Sequence, residues 1–344
     1  MSAGRPGRLG VGVVGAGRVG AVLGSALRAA GHPVVGVSAV SAQSLERAEL
    51  LLPGVPVLEV PDVVRRAELV LLAVPDDALG PLVGGLAELG AWQAGQLVAH
   101  TSGRYGVAVL DPARARGAIP LALHPAMTFT GTSLDLSRLV GAAFAVTAPA
   151  AVLPIGQALV VELGGEPVVV DELDRPLYHA ALAHGANHLV VLVAQAAQAL
   201  AEAGVEDPAR VLGPLLEAAL DGSLRAAAPH EGGVTGAGAI HALTGPVRRG
   251  DTGTLLEHQA ALEEFAARAG APDVPGTYRD LARAAAGRAL GAGLLAPGTA
   301  AAVLDALAPP QSPTSQGGRV AGIDGDARWL HGEDDDPDDP QEDA

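Results

Sequence analysis

Short apolar runs alternate with helical spacing along the first half of the chain, and helical spacing alone fills most of the second. Residues 9–14 read LGVGVV, a short β-rich run, and a helical pattern then continues to Gly31. Comparable runs recur in HPVVGVSA (32–39), AELVLLAVPDD (67–77), GQLVAHTSG (95–103) and GAIPLALHP (117–125). Sequence of helical period separates them, as a buried parallel sheet with crossover helices requires. Two further strands are predicted near AAFAVTA (142–148) and PVVVDE (167–172). Beyond them the pattern predicts helices over about 175–203, 207–221, 251–269 and 276–292, with a shorter one near 297–307. The Gly/Ala-rich stretch 222–251 interrupts these helices, and its first part reads as a mobile insertion.

The first strand ends in Gly15-Ala16-Gly17-Arg18-Val19-Gly20. This is G-x-G-x-x-G with a strand before it and a helix after it, the context a dinucleotide-binding loop demands. Gly15 serves the tight turn, Gly17 the approach of a pyrophosphate, and Gly20 the close packing of helix on strand. Arg18 and Val19 lie in the same loop. The chain therefore reads as α/β, with a Rossmann dinucleotide-binding domain over 1–172 and an all-helical domain over 173–308, to which the resemblance described below assigns substrate binding and dimerisation. Ligands of such sheets sit at the C-terminal strand ends. Here those ends carry Val74-Pro75-Asp76, His100-Thr101-Ser102-Gly103 and His124-Pro125. The second strand ends in Ser38, with Ser41 following, where an acid would hold the ribose diol of NAD; hydroxyls with Arg18 and Arg47 nearby favour NADP, with NAD still open. Ser38 and Ser41 also suit a plainer role, capping the next helix.

Composition narrows the chemistry. Of 344 residues, 49% are apolar, enough for two packed domains. All 22 basic residues are arginine and there is no cysteine, so lysine Schiff bases, thiolate nucleophiles and thiolate metal sites are excluded. A net charge of −16 argues against nucleic acid or an anionic membrane as partner. About half of that charge comes from the end of the chain, where ten acids and two arginines follow residue 309. Residues 309–344 therefore read as a disordered acidic tail. The arginines and apolar run at the start imitate a signal peptide, but Arg18 interrupts the run. The uncharged stretch 139–161 is long enough for a membrane, yet Gly141, Pro149, Pro154, Gly156 and Gln157 suit a strand, a turn and a helix better. A soluble, cytoplasmic protein is expected.

The helix predicted at 175–203 carries polar residues on an otherwise apolar run: His179, His184, Asn187 and His188. Spacings of three and four bring His184, Asn187 and His188 to one side of it. Histidines in such a helix are often hydrogen-bonded core residues. His-x-x-x-His is also a metal-ligand spacing, but Gly185 stands where a zinc protease carries its glutamate, and no metal is expected. In TGPVRRGDTGT (244–254), Asp251 is placed to cap a helix and Arg249 could hold a carboxylate or lie free on the surface.

The motif set GxGxxG, AVPDD, HTSG, LHPAMTF, YHAALAHGANH and LTGPVRRGD resembles actinobacterial Rossmann-like proteins with a C-terminal domain of unknown function, over about residues 8–292. More broadly it is similar to the superfamily of 6-phosphogluconate dehydrogenase, 3-hydroxyisobutyrate dehydrogenase and ketopantoate reductase. The resemblance implies an NADP-dependent oxidoreductase of a small 2-oxo acid, with ketopantoate and pantothenate synthesis as the leading expectation and a homodimer formed through the helical domain. It places His184 where relatives carry a catalytic lysine, with Asn187 orienting the carbonyl and His124 as a further proton donor. His188, Arg249, Ser102 and Thr101 are then the expected substrate contacts. An imine reductase resembling pyrroline-5-carboxylate reductase and a dinucleotide-binding protein without chemistry are the alternatives.

Overall fold

The computed structural model describes residues 8–228 and 236–309. From residue 310 onward the expected acidic tail lies outside the described residues, as does the centre of the 222–251 insertion. The chain divides into two compact units, Met1–Ala194 and Gln195–Ala344. The boundary expected at 172/173 falls just after the last strand, whereas the division between units falls inside a long helix that begins there.

The first unit runs β1 (Val11–Val14), α1 (Arg18–Ala29), β2 (Val34–Ser38), α2 (Ala42–Leu51), α3 (Val60–Arg66), β3 (Leu69–Leu72) and α4 (Asp76–Glu88). It continues with β4 (Leu97–His100), α5 (Asp111–Arg114), β5 (Ile119–Pro125), α6 (Leu134–Arg138), β6 (Ala143–Thr147), α7 (Leu153–Glu162) and β7 (Glu166–Val169). The strands form one sheet in the order β2-β1-β3-β4-β5-β6-β7. All neighbours are parallel except β5 and β6, which are antiparallel. The chain reverses its direction of travel across the sheet at β1, so a crevice opens above the C-terminal ends of β1 and β3.

The central strands are apolar except at their C-terminal ends, because both faces of the sheet are covered there. Val11, Val13, Leu69, Leu71, Leu121 and Leu123 pack on one side with α1 and α7 residues such as Leu23 and Val160. Val14, Val70, Leu72 and Val98 pack on the other with Val63 and Val64 of α3 and Leu79 and Val83 of α4. A polar link closes one side: Glu162 of α7 takes Arg8 at 2.9 Å and the Nε2 of buried His32 at 2.6 Å, while His32 Nδ1 accepts the Leu9 amide at 3.0 Å. Those partners put the His32 proton on Nε2.

Helix α8 (Arg175–Glu202) leads into the second unit, which holds α9 (Pro208–Ala227), α10 (Gly245–Arg249), α11 (Thr252–Ala269), α12 (Asp273–Gly291) and α13 (Pro297–Ala306). Its core is built largely of small side chains, with Ala282, Ala286, Ala289 and Ala300 packed beside Leu255, Val303 and Leu307. Helix α9 runs six residues beyond the expected end at 221. Leu224, Arg225 and the alanines after them are good helix formers, and they outweigh Gly222. Asp251 caps α11 as expected, its Oδ1 accepting the Thr254 amide at 3.1 Å.

His100 ends β4 fully buried. Its Nε2–H donates to the Gly106 carbonyl at 2.8 Å and its Nδ1 accepts the Ser102 amide at 3.2 Å, so the ring bridges both arms of the loop it opens. Burial, and secondarily the Arg175 charge, push its pKa from 6.5 down to about 4 although the Gly106 bond opposes this. The unfolded chain therefore takes up this proton near pH 6.5 and the folded chain only near 4, so the stabilisation is complete above that window and is lost as pH falls through it. The free energy of unfolding from denaturant titration should fall as pH drops from 6.5 to 4, by up to about 1.4 kcal/mol per pH unit for this one proton. His100→Gln should be less stable at pH 7.5 yet show a shallower decline; an unchanged slope would mean that His100 takes up its proton without opposing folding.

Candidate active site: a glycine cradle and a histidine pocket

The loop from β1 into α1 is built by two glycines that packing demands and one that it leaves open. Gly15 turns at φ 94°, and a Cβ there would lie 2.6 Å from the Ala73 carbonyl oxygen of the neighbouring β3 end. A Cβ on Gly20 would collide with the Gly15 carbonyl oxygen and lie 2.9 Å from the Ala73 Cβ. Gly17 caps α1, and nothing lies within 4 Å of where its Cβ would be. Free amides at a helix N-terminus under open space make the cradle a pyrophosphate needs. Val19 is half-buried in the first turn of α1, and Val74 and Pro75 border the loop from the end of β3.

The serines expected at the ribose take local partners. Ser38 is buried and its Oγ accepts the Gly15 amide at 3.1 Å, fixing the glycine turn from the end of β2. Ser41 caps α2 by accepting the Ser44 amide at 3.2 Å. Positive charge converges beside them: a Cβ on Gly131 would lie 2.9 Å from Arg47 Nε and 3.0 Å from Arg18 Cγ. The loop that brings Gly131 there is held by buried Asp135, which accepts the Gly131 amide at 2.7 Å and the Thr130 amide at 2.8 Å. Arg47 and this loop join the site only in three dimensions, because they lie more than eighty residues apart.

At the end of β5 a pocket of about 270 Å³ opens between His124, Met127 and Thr128 on one side and His179, Ala183 and Asn187 of α8 on the other. The α8 positions are spaced by four, a single stripe of the helix. His124 Nδ1 lies 2.9 Å from the Tyr178 hydroxyl, and the His179 ring stands edge-on at 6.2 Å. Burial, followed by the nearby Arg175 charge, lowers the His124 pKa to about 4, so the imidazole is neutral at neutral pH. The Tyr178 phenol is raised by burial and pulled back by Arg175. Arg175 itself is fully buried at the start of α8. Its donors reach Thr147 Oγ1 at 2.8 Å and the carbonyls of Ser102, Ala122 and Ala145 at 3.2, 2.9 and 3.1 Å.

Of the expected site residues, His124 and Asn187 meet at this pocket, while His184 and His188 do not line it. Those two histidines are exposed and pair with each other, Nδ1 to Nδ1 at 2.9 Å. The shared side inferred from their spacing is thus split, since His184 lies one residue beyond the stripe through His179, Ala183 and Asn187. Ser102 is buried and structural: its Oγ accepts the Tyr105 amide at 3.2 Å, its carbonyl receives Arg175, and it makes no pocket wall. Thr101 continues the sheet, its amide donating to the Leu72 carbonyl at 3.1 Å. Arg249 is exposed at the end of α10 in the second unit. Tyr178 and Arg175 are not among the expected site residues. An arginine in the first turn opposes the helix dipole, and that was the available signal that something else holds it.

Residues 1–125 match the Rossmann-like domain and residues 142–285 match the domain of unknown function DUF2520. No curated protein sequence matches the chain at a significant level. Among solved structures, the chain is similar to a Bacteroides fragilis protein assigned to the NADP oxidoreductases, at 21% identity and a TM-score of 0.61, covering 81% of this chain and 98% of that one. It is similar to an imine reductase from a Pseudomonas species at 15% identity and a TM-score of 0.57, covering 88% and 100% of the two chains. A Myxococcus stipitatus imine reductase in complex with NADP+ gives 19% identity and a TM-score of 0.57, covering 83% and 95%. At these identities the likeness concerns the fold. The chain joins a Rossmann-like domain to a DUF2520 domain.

Proposed function

We propose that this chain is an NADP-dependent oxidoreductase that reduces the C=O or C=N group of a small molecule. The observation that carries the reading is the pairing of an open glycine cradle at Gly17 with a pocket holding a neutral imidazole, His124, and an amide, Asn187. Bound reduced NADP would supply the hydride. The chain's own part is to hold the pyrophosphate on the amides of α1, to flank a 2′-phosphate with Arg18 and Arg47, to orient the substrate through Asn187, and to hold a proton at His124. The names of the structural relatives, NADP oxidoreductase and imine reductase, support the same class.

Two substrate classes follow. A 2-oxo acid such as ketopantoate would need a cation for its carboxylate, a role Arg249 could take. The walls of the first-unit pocket carry no charged side chain apart from titratable imidazole, and this favours an imine or a neutral carbonyl compound. Reduction then needs positioning and a proton more than an ion pair.

A second copy of the chain is proposed as the partner. Helix α8 exposes Leu177, Val190 and Val191 at 72%, 68% and 48%, and α9 exposes Leu215 and Leu224 at 65% and 63%. Apolar surface of this extent marks an interface. The segment Glu172–Glu202 is long and apolar enough to cross a membrane, with mean hydropathy 1.3 and 6% of it buried. Its polar residues argue for a protein partner: His184, Asn187, His188, Gln195 and Gln198 would be costly in a bilayer core.

For the cofactor, fluorescence titration should give tighter binding of NADPH than NADH by at least about tenfold, roughly 1.4 kcal/mol. Arg47→Ala should erase most of that difference; equal affinities in the wild type would remove the 2′-phosphate site. For the substrate, NADPH oxidation should be seen with a panel of 2-oxo acids and cyclic imines. If a 2-oxo acid turns over, Arg249→Ala should raise its KM about tenfold, whereas turnover of imines alone, indifferent to Arg249→Ala, selects the imine class. No oxidation with any compound would leave a dinucleotide-binding protein without chemistry. For assembly, sedimentation at micromolar concentration without detergent should give a dimer mass. A monomer, or a protein that stays in solution only with detergent, overturns the dimer.

A further inference from the structure

His124 has one nitrogen tied and one free. Nδ1 is bonded to the Tyr178 hydroxyl at 2.9 Å, with the two rings edge to face at 5.6 Å. Nε2 has no hydrogen-bond partner among the described residues, nor is it a buried unsatisfied atom. It packs near Gly103, where a Cβ would come within 2.9 Å of it and 2.7 Å of His179 Cδ2, so glycine at 103 lets the two imidazole rings keep their places. The Arg175 guanidinium lies 6.0 Å from the Tyr178 ring centroid. Among the described residues no carboxylate lies within ion-pair distance of Arg175; its charge interacts with Tyr178 first and with the Glu172 carboxylate after it.

Resting on the reductase reading above, we propose that Tyr178 and His124 form a two-proton relay. The Tyr178 hydroxyl donates to His124 Nδ1, and His124 presents its own proton on Nε2 to the substrate. When hydride from the reduced nicotinamide forms the new C–H bond, the π pair of C=O or C=N moves onto oxygen or nitrogen. That atom takes the proton from Nε2, Nδ1 takes the proton from Tyr178, and the remaining phenolate recovers a proton from solvent afterwards. His124 begins and ends neutral and only changes tautomer. Tyr178 works through His124 and is a positioning and relay residue.

The surroundings explain why a relay is needed. The charged and titratable groups around His124 are Arg175, His179, Asp76 and His100, in addition to Tyr178. Burial and Arg175 deny His124 the imidazolium form at neutral pH, so it cannot act as an ordinary histidine acid. A neutral imidazole that lost Nε2–H alone would become a strongly basic anion. Protonation of Nδ1 by Tyr178 avoids that anion and moves the negative charge to the phenol oxygen, where burial opposes it and the nearby Arg175 charge offsets part of that cost. One buried cation thus opposes the imidazolium and supports the phenolate. A chain without lysine can in this way deliver a proton from a tyrosine.

Tyr178→Phe removes one hydroxyl. It should lower kcat about 10²-fold while leaving the NADPH Kd unchanged. The dependence of kcat on deuterium content should be curved in the wild type, as two moving protons require, and linear in Tyr178→Phe. A variant that keeps kcat and the curved dependence overturns the relay. If the wild type oxidises NADPH with no compound of the panel, it is the reductase reading that fails. The relay is then read separately in ¹⁵N spectra of the wild-type His124 ring at pH 7, a measurement that does not depend on any variant folding. Protonation on Nε2 with Nδ1 accepting a hydrogen bond is expected; a proton on Nδ1 overturns the relay.

Discussion

A guanidinium held inside the protein by neutral oxygens fixes the arrangement around which the pocket forms. Arg175 reaches β5, β6 and the loop after β4 at once, through the carbonyls of Ser102, Ala122 and Ala145 and the hydroxyl of Thr147. These oxygens lie close together because His100 stands opposite Ala122 in register, and Ala122 opposite Thr147. The antiparallel turn of β6 against β5 is what places Thr147 there. Burying a charge is costly unless every donor finds an acceptor, so the start of α8 is tied to this one position on the sheet. Everything α8 then contributes to the pocket, from Tyr178 to Asn187, follows from that anchor and from helical spacing.

The same economy of charge runs through the other polar groups. His100 and His124 are neutral because they are buried near Arg175, and each uses both or one of its nitrogens to hold a neighbouring element. Glu172 accepts the Val107 amide at 2.6 Å and the Ala108 amide at 3.1 Å, fixing the segment after the HTSG loop. Asp135 performs a similar task for the loop at Gly131, far along the crevice beside Arg18 and Arg47. These acids organise backbone amides, and Arg18 beside the glycine cradle is exposed.

Much of this is legible in the sequence. The alternation of apolar runs and helical spacing gave the sheet, because strands covered on both faces have no choice but to be apolar throughout. The glycine loop was readable because its spacing is a local pattern, although the contacts that demand it come from Ala73 and Ser38, distant in sequence. Asp251 was recognisable as a cap for the same local reason. His124 and Asn187 were selected because polar groups on apolar elements need an explanation. His184 was selected on the same ground, and the structure gives it a partner, His188, on a different part of the helix.

By itself, then, the sequence determined the α/β order of the first unit, the helical second part, the glycine cradle and a chemistry free of lysine and cysteine. These depend on residue type and on spacing of a few positions, which the chain carries in one dimension. Only the tertiary structure decided which face of α8 borders the pocket, that Arg175 is buried without a carboxylate, that Tyr178 meets His124, and that Arg47 and Gly131 reach Arg18. Each of these joins residues tens of positions apart, and each turns on strand register or helix rotation. A rotation of one residue on a helix swings a side chain by about 100°, enough to exchange His184 for Ala183 at the pocket wall, and no pattern of residue types along the chain resolves that angle.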